Sequence, residues 1–271
     1  MTSSQLFTAY RELGVVSGRA QFRITKKGTE NFVAIASEAS FQIFHCAKLH
    51  LLFVGGQHPH RVRALETWND LTITACQSDM YMWERGSTLL HCFKYDNASN
   101  IERLLCFGES HLLVLRADNT VSLINLKERI DEGVVISLDP TEVGEITTLI
   151  HPPTYLNKVV IATSKGALQI WNLRSKKLVY ESKAFAGTEI TCLQSSPAVD
   201  VIAVGMATGE VALHNIRTDK TIFRVQHGTT NNVSVTAISF RTDGPALMAT
   251  CGATGGTVCV WDLETVSYTH L

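Results

Sequence analysis

Long apolar runs, closely paired cysteines and an excess of charge of one sign are all missing from this sequence of 271 residues. No uninterrupted apolar segment reaches the roughly 18 residues that a membrane-spanning helix needs, so helical membrane spans are not expected. The N-terminal residues lack a basic segment followed by a long apolar core, which argues against a secretory signal. We therefore expect a chain of the cytosol or the nucleus.

The cysteines are seven in number, and no two of them form a Cys-x-x-Cys pair. A zinc site or a disulfide framework would need closely spaced or evenly paired thiols. Most of these cysteines lie inside apolar, strand-like segments. The pattern therefore predicts free, buried thiols that pack as small hydrophobic side chains.

Charge and catalytic motifs give little support to an enzyme or to a nucleic-acid binder. The net charge is −1, so no global field would attract nucleic acid or an anionic membrane. The basic turns Arg174–Lys177 and Lys26–Lys27 could touch phosphate, but charged hairpin tips that keep sheet edges apart are the simpler interpretation. Gly-x-Ser-x-Gly, His-Glu-x-x-His and P-loop motifs are all absent. We expect no cofactor, no bound metal and no small-molecule substrate.

What the sequence does contain is a repeat, seen most clearly in the segment Lys158–Tyr180. This segment reads as a strand, a turn at Gly166, a strand ending in Trp171-Asn-Leu, and a basic turn before another strand. Similar octapeptides begin at Gly209 and Gly256. Six marker positions follow one another at intervals of 39 to 47 residues: Phe44, Trp83, Ile124, Trp171, His214 and Trp261. This period, with a strand ending in Trp-Asp-Leu, is typical of a WD40 blade.

The apolar segments around these markers favour sheets that are buried on both faces. They are apolar throughout rather than alternating, as in Val258-Cys-Val-Trp261. In a propeller each blade packs between two neighbours, which buries both faces. A doubly wound α/β fold would also bury both faces, but the gaps contain no amphipathic helix of the required length. We therefore predict an all-β WD40 propeller with about six of its seven blades present.

The ends of the sequence differ from the repeats. We divide the chain into an N-terminal arm at 1–20, a propeller at 21–265 and a tail at 266–271. The tail shows no recognisable fourth strand and resembles a translated cloning adapter more than a natural continuation. We expect the chain to be an incomplete propeller from a longer protein.

The repeat markers are interpreted as structural residues rather than as a binding site. They are three tryptophans expected in blade cores and three glycines expected in hairpins: Trp83, Trp171, Trp261, Gly166, Gly209 and Gly256. Each glycine lies five residues before a marker, where a tight hairpin needs a positive φ. Ala39 and Ser78 occupy this position in the first two repeats, so a different turn is expected there.

Histidines offer the remaining candidate sites. Many WD40 blades contain a hydrogen-bond relay from the tryptophan through a strand Ser or Thr to a histidine that follows a glycine. Here Gly-His is absent and His227-Gly228 has the reverse order, so we assign no relay. The loop His58–Arg61 has a spacing that could hold a metal, but without a nearby carboxylate or thiol we interpret it as solvated. His214, at a marker position, is expected to pack in a core.

A more specific resemblance lies in loops and strands of the C-terminal half. It is carried by His151-Pro-Pro-Thr-Tyr-Leu-Asn-Lys158, Gly166-Ala-Leu-Gln-Ile-Trp-Asn-Leu173, Ser196-Pro-Ala-Val-Asp-Val201 and Ser239-Phe-Arg-Thr-Asp-Gly244. These blocks are similar to the tandem-WD40 subunit of the UTP-B module of the small-subunit processome, a eukaryotic ribosome-assembly factor. The segment Tyr10–Gly14 near the N-terminus matches the same family more loosely.

The resemblance implies two tandem propellers, of which this chain would cover most of the first. It also implies a non-enzymatic scaffold of the nucleolus that works with other UTP-B subunits and processome proteins in pre-rRNA processing. Association with pre-rRNA and small nucleolar RNA would then be indirect. A generic WD40 adaptor in ubiquitination or trafficking is the alternative, and a propeller hydrolase with acids or histidines in its channel is a third hypothesis.

Overall fold

Three four-stranded antiparallel sheets build each of two compact units, residues 20–137 and residues 138–270. The computed structural model describes residues 20, 22–84, 87–228, 233–254 and 256–264, together with the backbone of the strand at 267–270. Within every sheet, strands that follow one another in sequence are hydrogen-bonded neighbours, so each sheet is a simple meander.

The strands of the first unit form three sheets in chain order. They are β1 Arg23–Lys27, β2 Glu30–Ser37, β3 Ser40–His45 and β4 His50–Val54; β5 Ala64–Trp68, β6 Leu71–Cys76, β7 Asp79–Glu84 and β8 Thr88–Phe93; and β9 Ile101–Phe107, β10 His111–Arg116, β11 Thr120–Asn125 and β12 Ile130–Ser137.

The second unit begins with the one short helix of the described residues, α1 Pro140–Val143. Its sheets are β13 Ile146–Ile150, β14 Lys158–Thr163, β15 Leu168–Asn172 and β16 Lys177–Ser182; β17 Ile190–Ser195, β18 Val201–Met206, β19 Glu210–Asn215 and β20 Lys220–Gln226; and β21 Val235–Phe240, β22 Leu247–Gly252, β23 Val258–Asp262 and β24 Ser267–His270.

The predicted six-member register and the all-β class are confirmed. Every marker lies in the third strand of its own sheet: Phe44, Trp83, Ile124, Trp171, His214 and Trp261. The sequence shows no continuous apolar segment at the first strands β1 and β5, because β1 is mostly polar and β5 contains Glu66 and Thr67. In β5 the buried Glu66 accepts a hydrogen bond of 2.7 Å from Arg23 of β1, which explains how a carboxylate is accommodated there.

The structure corrects the expectation that no fourth strand follows Leu263. Strand β24 pairs antiparallel with β23, from Cys259 opposite His270 to Asp262 opposite Ser267. An edge strand is held by backbone hydrogen bonds, so it needs no apolar pattern to form. The predicted division at residues 20 and 265 stays a prediction, since residues 1–19 of the arm lie outside the described residues.

The cores lie between neighbouring sheets within a unit. Strand β18 is buried along its whole length, because one sheet covers each of its faces. On one side of it Val204 packs in a cluster with Val160 and Ile170 of the preceding sheet. On the other side Ala203 packs in a cluster with Met248 of the following sheet. This double burial is the physical reason for apolar strands without alternation.

The outer strands are the exposed edges of these sheets, and most of them are bulged. In four sheets the register of the fourth strand shifts immediately before the marker residue, so that the outer strand gains one residue. The extra residues are apolar: Leu52, Leu90, Val179 and Ile222. A bulge twists an edge away from flat pairing, which discourages strand addition by another chain.

The hairpins between the second and third strands use two kinds of turn. Gly166, Gly209 and Gly256 have φ values of 80°, 86° and 60°. In the first two sheets the positive φ belongs instead to Glu38 and Gln77, one residue earlier, within two-residue turns. The expectation of a different turn in the first two repeats is therefore confirmed.

Gly166 also has no room for a side chain, unlike Gly256. A Cβ at Gly166 would meet the carbonyl oxygens of Phe185 and Thr188, both less than 3 Å away, whereas a Cβ at Gly256 would meet no atom within 4 Å. We predict that Gly166→Ala lowers the free energy of unfolding by several kcal/mol, against about 1–2 kcal/mol for Gly256→Ala, which adds only the positive-φ strain.

Denaturant unfolding of the two variants beside the unaltered chain measures this difference. Equal losses in the two variants would contradict it, because the backbone approach at Gly166 would then contribute nothing.

Candidate functional site

A buried hydrogen-bond relay links two strands of the second sheet to the loop between β4 and β5 and to a hairpin turn of the first sheet. The indole Nε1 of Trp83 donates to Thr74 Oγ1 at 2.8 Å, and Thr74 Oγ1 lies 2.6 Å from His58 Nε2. His58 Nδ1 lies 3.1 Å from the carbonyl oxygen of Ala39. Because a carbonyl can only accept, Nδ1 carries the proton and Nε2 accepts from the threonine hydroxyl. Each group therefore donates to the next, from Trp83 through Thr74 and His58 to Ala39, and the His58 imidazole is neutral.

The sixth sheet contains a second relay of the same design. Trp261 Nε1 donates to Thr250 Oγ1 at 3.0 Å, and Thr250 Oγ1 lies 2.9 Å from His227 Nδ1. All three side chains are buried. The two relays lie in different units, and each closes within its own unit.

These relays show that two interpretations from the sequence were wrong. No relay was assigned because the Gly-His dipeptide is absent, yet His227 occupies the relay position without it. His58 was placed in a solvated loop, yet only 6% of it is exposed. The loop between β4 and β5 carries His58 inward, where it contacts the rings of Tyr81 and Trp83.

The missed signal was a threonine rather than a histidine. Thr74 and Thr250 each lie two residues beyond the residue that pairs with the marker tryptophan. The fourth sheet has Ile161 at this position, and its marker Trp171 instead donates to Gln169 Oε1 at 2.8 Å. Trp171 is accordingly half-buried, whereas Trp83 and Trp261 are 5% and 3% exposed.

His214, at the marker position of the fifth sheet, is fully buried, as expected for a core residue. Its Nε2 lies 3.1 Å from Asp219 Oδ1, and Asp219 Oδ2 accepts a hydrogen bond of 2.7 Å from Tyr180 of the preceding sheet. Burial lowers the pKa of His214 despite the opposing effect of Asp219. The carboxylate therefore joins two neighbouring sheets through a neutral histidine and a phenol.

The chemistry open to these side chains is limited by their burial. The cysteines are all free thiols, with Cys76 and Cys259 buried and the other five half-buried. Across the described residues, no group of three or more His, Cys, Asp or Glu side chains could hold a metal ion. A search of the same residues found no helix with the length and hydropathy needed to cross a membrane.

The exposed loops that could contact a partner lie at one end of two sheets of the second unit. In a four-stranded meander the first and third connections lie at the same end, because successive strands alternate in direction. In the fourth sheet a hydrogen bond of 2.9 Å from Leu173 N to Asn157 O joins these two connections. In the fifth sheet a hydrogen bond of 2.9 Å from Ile216 N to Asp200 O does the same. We call residues 152–157, 174–177, 197–200 and 217–220 the loop-tip surface.

The loop that carried the family resemblance is part of this surface and is braced on several sides. Tyr155 N donates to Pro152 O, and His151 Nε2 contacts Tyr155 O. Lys158 Nζ lies 5.1 Å from the centre of the Tyr155 ring. Thr154 Oγ1 donates to Asp200 Oδ1 at 3.0 Å, which joins this loop to the equivalent loop of the next sheet.

Comparison with known proteins gives a family match that includes this loop. The family model of the WDR36/Utp21 first beta-propeller matches residues 33–271. The chain belongs to the WDR36/Utp21 first beta-propeller family. The six sheets are therefore blades of a WD40 propeller, and the resemblance seen in the loop and strand blocks is confirmed at the level of the family.

Three curated relatives are similar over nearly the whole chain. The U3 small nucleolar RNA-associated protein 21 homolog of Schizosaccharomyces pombe is 31% identical over 97% of this chain. The human WD repeat-containing protein 36 is 32% identical over 97%, and the U3 small nucleolar RNA-associated protein 21 of Saccharomyces cerevisiae is 30% identical over 99%. The chain spans only 29%, 29% and 28% of the lengths of these three relatives.

The first relay predicts that loss of the Thr74 hydroxyl lowers the stability of this WDR36/Utp21 propeller. Thr74→Val keeps the shape but leaves the Trp83 donor and the His58 acceptor buried without their shared partner. We expect the free energy of unfolding to fall by about 1–3 kcal/mol. Thr88→Val is the matched control, since Thr88 lies exposed on β8 of the same blade and its change should stay within about 0.5 kcal/mol.

Denaturant unfolding of the two threonine variants measures both values. A Thr74→Val chain as stable as the control would mean that the relay does not stabilise the blade.

The relay also predicts a direction for the dependence of stability on pH. Burial lowers the pKa of His58 from its ordinary value of 6.5, so the unfolded chain binds more protons as the pH falls below that value. The contribution of His58 is fully present above pH 6.5 and is lost as the pH falls toward the lowered value. Unfolding measured at pH 7.5 and 5.5 should show less stability at the lower pH.

The variant His58→Gln tests whether His58 is responsible. Its loss of stability between the two pH values should be smaller than that of the unaltered chain, because glutamine does not titrate. An equal loss would assign the effect to other groups, such as His151 and His214, whose pKa values burial also lowers.

Proposed function

We propose that this chain is a non-enzymatic scaffold module of the small-subunit processome that supports pre-rRNA processing and small ribosomal subunit assembly. The observation that carries the proposal is the family match over residues 33–271, together with two relatives named as U3 small nucleolar RNA-associated proteins. The family match favours this role over a generic adaptor in ubiquitination or trafficking. Its partners would be other UTP-B subunits and processome proteins, and its site of action the nucleolus.

The buried side chains support a scaffold rather than a hydrolase. His58, His214 and His227 are each buried and bond to a threonine or a carboxylate, so a substrate would have no access to their rings. The same bonds join strands and loops, so these histidines add rigidity to the blades. The repeat markers Trp83, Trp171 and Trp261 and the hairpin glycines belong to this structural role in the proposal.

The charge of the chain supports an indirect association with RNA. Lysine and arginine total 24 against 25 acidic residues, so the chain as a whole has no excess positive charge that would attract a phosphate backbone. We propose that contact with pre-rRNA and small nucleolar RNA is made through the other proteins of the assembly.

Affinity purification of the intact protein from nuclei tests the scaffold role. We expect U3 small nucleolar RNA and the other UTP-B subunits to be enriched over a control purification with an unrelated WD40 propeller carrying the same tag. Depletion of the protein should cause precursors of small-subunit rRNA to accumulate, while large-subunit rRNA matures normally. Recovery of cytosolic partners alone, without U3 RNA, would contradict the proposal.

A further inference from the structure

Two exposed aliphatic side chains distinguish the loop-tip surface from ordinary loop ends. Leu156 is 88% exposed and Val199 is 69% exposed. Loop tips of blades are usually polar, because they are surrounded by water. These two residues lie on equivalent loops of neighbouring blades, and the hydrogen bond from Thr154 to Asp200 joins those loops.

The backbone on either side of Leu156 is held in place. The amide of Tyr155 donates to Pro152 O at 3.0 Å, and the carbonyl of Asn157 accepts from Leu173 N at 2.9 Å. These bonds hold the backbone at Leu156 in place while its side chain is exposed to water. A rigid apolar group loses little conformational entropy when a partner covers it, which is the condition for efficient binding.

The charges around these side chains are mainly positive. Five exposed cations lie on the loop-tip surface: Arg174, Lys176, Lys177, Arg217 and Lys220. The two carboxylates of the surface, Asp200 and Asp219, already accept hydrogen bonds from Thr154 and Tyr180. The surface therefore combines apolar contacts with a positive field that complements an acidic ligand.

We propose that the loop-tip surface binds an acidic segment of a protein partner, with Leu156 and Val199 as its apolar contacts. This inference rests on the proposed scaffold role and assigns one of its protein contacts to these two blades. RNA is the less favoured ligand, because single-stranded nucleic acid stacks on exposed aromatic rings. The aromatic residue of these loops, Tyr155, is only half-exposed and lies beneath Lys158.

Site-specific photocross-linking in the intact protein tests this proposal. Benzoylphenylalanine is placed at position 156, at position 199, or at position 222 as a control. Ile222 is 57% exposed on the bulged outer strand β20, so it matches the two test sites in exposure and lies in one of the same blades. The assemblies are purified, irradiated and digested, and the cross-linked peptides are identified.

The proposal predicts that positions 156 and 199 cross-link to one protein, at a segment rich in Asp and Glu, and that position 222 does not reach that segment. Cross-links from 156 and 199 to RNA, to a neutral or basic segment, or to nothing at all would overturn it.

A charge-reversal variant tests the electrostatic part separately. Arg174→Glu with Lys176→Glu should lower the yield of the cross-link at position 156 by about tenfold, whereas Lys26→Glu with Lys27→Glu, a basic pair in another hairpin, should leave it unchanged. An unchanged yield in the first variant would overturn the assignment of an acidic ligand.

Recovery of U3 RNA is measured in every sample, so that the two proposals can fail separately. Normal recovery of U3 RNA without the expected cross-link rejects the loop-tip contact alone. Loss of U3 RNA from the unaltered protein rejects the scaffold role.

Discussion

Packing of one blade face against the next is the interaction on which the rest of this structure depends. Strand β18 is buried along its whole length because sheets of the same unit cover both of its faces. Fully burying a large apolar side chain contributes about 1.5–3 kcal/mol. The two interfaces of β18 contain twelve and nine buried apolar residues, so they dominate the stability of the blades that they join. The backbone hydrogen bonds of the meanders organise the sheets, but the interfaces hold them together.

Burial on both faces removes the polar groups inside a blade from water, and the relays give two tryptophan donors a hydrogen-bond partner. A tryptophan at the marker position brings an indole donor into the core, where an unpaired donor would cost about 1–3 kcal/mol. Thr74 and Thr250 pass this hydrogen bond to buried histidines. Where Ile161 replaces the threonine, Trp171 is half-exposed and bonds to Gln169 instead.

Contacts with partners are left to the surfaces that do not pack between blades. The outer strands carry bulges, which discourage pairing with other chains, so the loop ends are the more suitable contact surfaces. The loop at 151–157 belongs to such an end, and it is the same loop whose residues pointed to the WDR36/Utp21 family. A scaffold of rigid blades with distinctive loops agrees with the proposed role in ribosome assembly.

The sequence by itself determined the repeat, the six-member register, the all-β class and the family. These features depend on local patterns, namely apolar segments, a marker in each third strand, and turn residues such as Gly166. Strands β1, β5 and β24 could not be predicted from an apolar pattern, because pairing with β2, β6 and β23 stabilises them whatever their polarity. Only the tertiary structure decided that His58 is buried and that His227 completes a relay, because each histidine comes from a loop 16 or 23 residues before its threonine and reaches the core only when the sheets pack.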